Sequence, residues 1–192
     1  VVEILRKLMA EQIAIYKCTN VVQATTFSEK ITLLMNTYYN GLITNEEVIK
    51  ELLKTAEEIN ALRKEGEKLG LTEEELAFYD ALTKPEHIKD FYENETLIAL
   101  TRELTEMLRK NRTIDWQKKE TARAGMRKMV KRLLKKYKYP PEKREDAIET
   151  VMSQCELWTD NAEPRKEEKL YKYVSEIELS KVAEDTVPYG EK

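Results

Sequence analysis

The sequence predicts an all-α fold, a single irregular multi-helix bundle of six or more helices joined by short loops. Three observations carry this. Gly and Pro number only five each in 192 residues, while charged residues make up 36% of the chain, so turn signals are sparse. Apolar residues recur at three- and four-residue steps through most of the sequence. Two Thr-x-x-Glu strings, Thr44–Glu47 and Thr72–Glu75, have the capping-box pattern of helix starts. Runs of Val and Ile with strict alternation are missing, which leaves a sheet little to build on.

Taken in order, residues 1–17 are predicted helical, with Ile4, Leu5, Leu8, Met9, Ile13 and Tyr16 in one register. A second helix is predicted from Ser28 to Asn40, with Ile31, Leu34, Met35 and Tyr38 inward and Gly41 as its stop. Thr44 opens a longer helix whose apolar set is Val48, Ile49, Leu52, Leu53, Ala56, Ile59 and Leu62, closed by Gly70. Thr72 opens a short helix that ends before Pro85. Residues 95–110 carry Leu97, Ile98, Leu100, Leu104, Met107 and Leu108. A basic helix follows over 113–138, capped by Thr113 and stopped by Tyr139-Pro140-Pro141. Pro141 suits the first turn of the next helix, whose stripe is Ile148, Val151, Met152, Cys155 and Trp158. Leu52, Leu53, Ile98, Leu104, Met126, Met129, Leu133, Ile148 and Val151 are expected to be mostly buried. Residues 159–192 form a charged extension, with helical candidates over 166–183 and a mobile end after Asp185.

Length places the chain in the one-domain range, with enough residues for a real core. No apolar run approaches the ~20 residues that span a bilayer, and no signal peptide precedes the chain. A cytoplasmic, membrane-free setting is therefore expected, with Cys18 and Cys155 as reduced thiols. Valine at position 1 points to a piece of a longer protein.

Catalytic patterns are weak. The glycines at 41, 66, 70, 125 and 190 form no phosphate-cradling string. Glu167-Glu168-Lys169 has the letters of a nuclease Glu-x-Lys pair, but it lies in a charged tail without strand context. His87 is the lone histidine and reads as a surface or cap residue. The two distant cysteines and that histidine do not make a zinc set. Glu73, Glu74 and Glu75 fall in a first turn, where they compensate the helix dipole.

The strongest signal is charge. Residues 109–138 carry thirteen Lys and Arg against Asp115 and Glu120, although the formal net charge of the whole chain is −3. Ala122, Met126, Met129, Val130, Leu133, Leu134 and Tyr137 share one face of this stretch. Lys118, Lys119, Arg123, Arg127, Lys128, Lys131, Arg132 and Lys135 are the candidate DNA-phosphate or partner contacts. Trp116, Met126, Met129, Leu133 and Tyr137 are the candidate structural anchors. A base-stacking role for Trp116 is conceivable amid this positive charge, but Ile114 beside it favours packing. The acidic region 29–106, with eighteen carboxylates against nine Lys and Arg, offers a competing account in which the cations are neutralised internally.

The strings IDW, KKE, MVKRLLKKY and YPP within this segment closely resemble the C-terminal helical domain of the restriction subunit of type I restriction enzymes. Upstream, Asn20-Val21-Val22-Gln23-Ala24, Phe27-Ser28-Glu29 and the block from Gly66 to Leu82 are similar to the same family. The resemblance covers roughly residues 1–158. It implies a parent subunit that is an ATP-driven DNA translocase and nuclease, using ATP and Mg²⁺ in upstream domains, with no cofactor held by this segment.

Two readings follow. By resemblance, the domain is a non-catalytic assembly module that docks the upstream motor and nuclease domains onto the methyltransferase and specificity subunits of a bacterial type I complex. By charge alone, it is a sequence-independent module that grips duplex DNA through phosphates, since lysines along a helix act as point charges rather than base readers.

Overall fold

The computed structural model describes residues 1–85, 87–112 and 116–162. Thr113, Ile114 and everything after residue 162 lie outside the described residues, and with them the expected Thr113 cap, the 166–183 helical candidates and the mobile end. Among the described residues there are eight helices and no strand. They are α1 (Val2–Thr19), α2 (Val21–Tyr39), α3 (Asn45–Lys68), α4 (Glu73–Thr83), α5 (Ile88–Phe91), α6 (Asn94–Asn111), α7 (Glu120–Lys136) and α8 (Pro141–Ala162).

Both capping boxes form as the sequence predicts. The Thr44 side chain accepts from Glu47 N–H, and the Glu47 carboxylate accepts from Thr44 N–H. Thr72 and Glu75 do the same for α4. Helix α3 ends on Gly70 at φ +63, where Leu71 N–H reaches back to Gly66 C=O at 3.2 Å. Helix α7 ends in the same way, with Lys138 at φ +57 and Tyr139 N–H on Leu134 C=O at 2.8 Å. A lysine in that conformation costs more than a glycine, so the burial of Tyr139 next to it must hold the turn in place.

The helices surround two apolar clusters. Met9, Ile13, Phe27, Ile31, Met35, Val48, Leu52 and Ile59 fill the first, between α1, α2 and α3. The second spans α4 to α8 and includes Phe78, Leu82, Leu97, Leu104, Trp116, Leu134, Ile148 and Val151. Helix α4 is the hub. It packs on α8, α6 and α2, and its fully buried Ala77 and Ala81 let neighbouring backbones approach closely. Burying Phe78 and Leu82 stabilises the fold by about 1.5–3 kcal/mol each. The C-terminal end of α4 is closed by Tyr139, whose hydroxyl donates to Leu82 C=O at 2.5 Å.

Three expectations need correction. Residues 21–27 are helical, continuous with the predicted 28–40 segment. Their β-branched Val21, Val22, Thr25 and Thr26 disfavour a helix locally, but Asn20 caps it by accepting from Gln23 N–H at 3.1 Å. The basic helix starts at Glu120 rather than 113, because Trp116 turns inward ahead of it. Leu53 is 49% exposed, whereas Leu52 is buried. Adjacent helical positions lie ~100° apart, so only one of the pair faces the core. Of the other expected core residues, Leu104, Met126, Leu133, Ile148 and Val151 are buried, while Ile98 and Met129 are half-buried.

Candidate partner and nucleic-acid interface

Trp116 lies wholly inside the second core. Its indole N–H donates to Thr159 Oγ1 at 2.9 Å, and that hydroxyl donates to Cys155 C=O at 2.9 Å. This satisfies a buried aromatic with a polar edge and leaves no ring face for a base. Met126 and Leu133 are buried beside Val130 and Leu134, while Met129 and Tyr137 pack against them half-buried. Tyr137 donates to Glu103 at 2.7 Å, and this bond to a carboxylate, with some burial, pushes its pKa up to about 12. Burial likewise holds the Cys155 thiol up at about 12, so it stays protonated and inert at neutral pH.

The cations of α7 divide into two sets. On the flank facing α8, Lys131 donates to Glu145 at 2.7 Å, and Arg127 pairs with Glu145 at 3.4 Å and Glu149 at 3.5 Å. Arg123 lies 2.7 Å from Glu156, an ion pair of charges whose N–H vector misses the oxygen. Toward α6, Lys136 donates to Glu103 at 2.6 Å. The hydrogen bond from Lys131 lowers the Glu145 pKa, and those from Lys136 and then Tyr137 lower that of Glu103. The remaining set points straight out. Lys128, Arg132 and Lys135 are exposed, spaced by four and three residues along one line, and meet no carboxylate among the described residues. Lys119 caps the helix start through its backbone, with Lys118 one residue earlier in the preceding turn, and both side chains are exposed. Neutralisation of the basic helix is thus partial. Among the described residues its partners come mostly from α8, whose carboxylates follow the basic stretch, and only Glu103 comes from the acidic region 29–106.

Two features of the surface were missed in the sequence. The Arg112 guanidinium sits 4.3 Å from the Trp158 ring centroid and that of Arg109 at 5.8 Å, while Trp158 meets Phe78 edge-on at 5.5 Å. The pairing depends on α6 and α8 both packing on α4, which brings Arg109 and Arg112 of one sequence region to Trp158 of another, and no local spacing signals it.

The second is a polar junction between the two cores. Asp80 of α4 accepts from Asn20 Nδ2 at 2.8 Å and Gln23 Nε2 at 2.9 Å, both on Oδ2. Gln154 of α8 accepts from Val21 N–H at 2.8 Å and donates to Thr19 C=O at 2.9 Å. One buried amide therefore clamps the break between α1 and α2. Burial raises the Asp80 pKa above the usual carboxylate range, partly offset by the two amide donors. The signal available was Asn20, a good N-cap set between two apolar registers.

Among the described residues, no group of three His, Cys, Asp or Glu is placed to hold a metal ion, and no helix is long and apolar enough to cross a membrane. No solved structure matches the chain. Over 155 residues the sequence is 41% identical to the type I restriction enzyme HindI endonuclease subunit of Haemophilus influenzae, covering 81% of this chain and 15% of that protein. A putative type I restriction enzyme MjaIXP endonuclease subunit of Methanocaldococcus jannaschii is 32% identical over 135 residues, 70% of this chain and 13% of its own length. The chain thus spans roughly a seventh of the curated relatives it matches. Residues 1–161 match the C-terminal region of endonuclease subunits like that of the type I restriction enzyme HindI, and the chain belongs to this family.

Proposed function

We propose that this domain is a non-catalytic assembly module of a type I restriction endonuclease subunit. In this reading it docks the translocase and nuclease onto the methyltransferase–specificity core, while its basic helix contacts DNA held in the complex. Family membership supports the setting, and the observation that carries docking is the outer face of α1. Ile4, Leu8 and Ile15 are respectively 65%, 48% and 56% exposed and follow one another along the helix. An apolar line of this kind, rimmed by charge, marks an interaction surface.

A second reading, sequence-independent DNA binding, is favoured by the row of Lys128, Arg132 and Lys135. The row spans about 10 Å of helix, or roughly three phosphate steps of one strand. Titrating the methyltransferase–specificity core with the chain, with and without duplex DNA, tests both. Docking predicts capture of the core in the absence of DNA. DNA binding alone predicts that capture requires DNA and is lost at high salt. Failure to bind the core under either condition refutes the assembly role.

A further inference from the structure

Between the two cores, residues of α1 to α5 line a partly open cavity of about 220 Å³, Asp80 among them. Both amide donors, from Asn20 and Gln23, go to Asp80 Oδ2. Among the described residues, Oδ1 receives no hydrogen bond. Tyr16, whose ring also stacks on Phe27, and the edge of the buried Tyr79 belong to its lining. Ile15, which ends the exposed apolar line of α1, also lines the cavity, so the line reaches the cavity's edge.

The charged residues of its lining are Glu65 and Glu73 against Arg63 and Lys89, with Asp80 tipping the balance to negative. Lys89 does not neutralise Asp80 by a direct bond. It lies 5.6 Å over the Tyr79 ring and 3.9 Å from Glu65. A partly open cavity with one open carboxylate oxygen, tyrosine in its lining and an apolar lip suits a guanidinium. That group is flat, weakly hydrated and rich in donors, and it stacks on aromatic faces. An ammonium would have to shed a tighter hydration shell to enter. The volume is far above the ~10–15 Å³ of such space that a single water needs, which leaves room for a guanidinium.

We infer that this cavity is the anchor pocket for an arginine side chain presented by the docking partner, with apolar residues beside that arginine lying along Ile4, Leu8 and Ile15 of α1. Arginine is among the residues that dominate interface energetics when seated in a desolvated pocket. The inference rests on the assembly reading above and gives that interface its location and chemistry.

Two measurements test it. In the first, N-acetylarginine amide is titrated into the ¹⁵N-labelled chain, with N-acetyllysine amide for comparison, and the side-chain amide resonances of Asn20 and Gln23 are followed. The arginine derivative should shift them saturably and more strongly than the lysine derivative, and Asp80→Asn should abolish the response. In the second, affinity for the methyltransferase–specificity core is measured for wild type, Asp80→Asn and Ile15→Lys. The amide introduced by Asp80→Asn keeps an acceptor oxygen for Asn20 and Gln23, and Ile15 is exposed, so thermal melts should show both variants folded. Loss of a buried charge pair should weaken binding by about 30-fold or more for Asp80→Asn. Ile15→Lys, which sets a like charge beside the arginine and removes an apolar contact, should weaken it by about tenfold. Unshifted amide resonances, or shifts unchanged in Asp80→Asn, overturn the pocket. Core binding by Asp80→Asn within about twofold of wild type overturns it while leaving the assembly reading intact. A wild-type chain that does not bind the core refutes the assembly reading, and this inference with it.

Discussion

Replacing Gln154 with Leu removes an amide while nearly conserving volume. Gln154 is 2% exposed and makes two hydrogen bonds, accepting from Val21 N–H at 2.8 Å and donating to Thr19 C=O at 2.9 Å. Val21 N–H opens a helix and has no partner within it. The variant strands one donor and one acceptor at a buried helix break, and each costs about 1–3 kcal/mol to leave unmade. The expected loss is thus about 2–6 kcal/mol, a large share of the ~5–15 kcal/mol of a typical domain. At roughly 2–4 °C per kcal/mol for a chain of this size, the melting temperature should fall by at least about 4 °C. Urea denaturation followed by two probes adds a sharper reading. Both tryptophans of the chain, Trp116 and Trp158, lie in or against the α4–α8 core, so their fluorescence reports that core, whereas far-UV circular dichroism reports all helices. If Gln154 couples α8 to the α1–α2 break, the dichroism midpoint of the variant should precede the fluorescence midpoint. A loss under about 1 kcal/mol with coincident transitions would show that water or a small shift satisfies the break, and the clamp argument would be wrong.

Four further outcomes are expected. Lys128→Glu with Lys135→Glu should leave the melting temperature nearly unchanged, because neither side chain meets a carboxylate among the described residues, and should flatten the log–log salt dependence of DNA binding by about 2. Arg127→Glu with Lys131→Glu should instead lower the melting temperature, since both face Glu145; equal effects from the two pairs would contradict the division of α7 into paired and outward cations. Thr159→Val removes the acceptor for the buried Trp116 indole and should cost about 1–3 kcal/mol in urea denaturation; an unchanged midpoint would mean that the indole finds another partner. For pH, the sign follows from Asp80, whose folded pKa lies above its unfolded one. Its contribution to stability is full below the unfolded value and is lost as pH rises through the folded value, so Asp80→Asn should gain on wild type as pH rises above about 4, and a constant difference would refute this.

Much of the fold was legible because it is local. The capping boxes at Thr44 and Thr72 close over three residues, and the stripes of α6, α7 and α8 repeat within a few turns, so both register directly in sequence order. Charge on residues 109–138 was equally plain. The helix over 21–27 was not, because β-branched residues there oppose a helix that distant packing and the buried Gln154 stabilise. Nor was the inward turn of Trp116, which shortened the basic helix at its start by exchanging helical hydrogen bonds for burial. Sequence also identified the cations of the basic helix but not their partners. Only the placement of α8 alongside α7 decided that Arg123, Arg127 and Lys131 are paired while Lys128, Arg132 and Lys135 face outward. The Asp80 junction joins residues about sixty positions apart, and the Gln154 clamp joins residues more than 130 apart. Local propensity and periodicity extend over a few turns, whereas burial and charge pairing depend on which helices meet, and only the tertiary structure decides that.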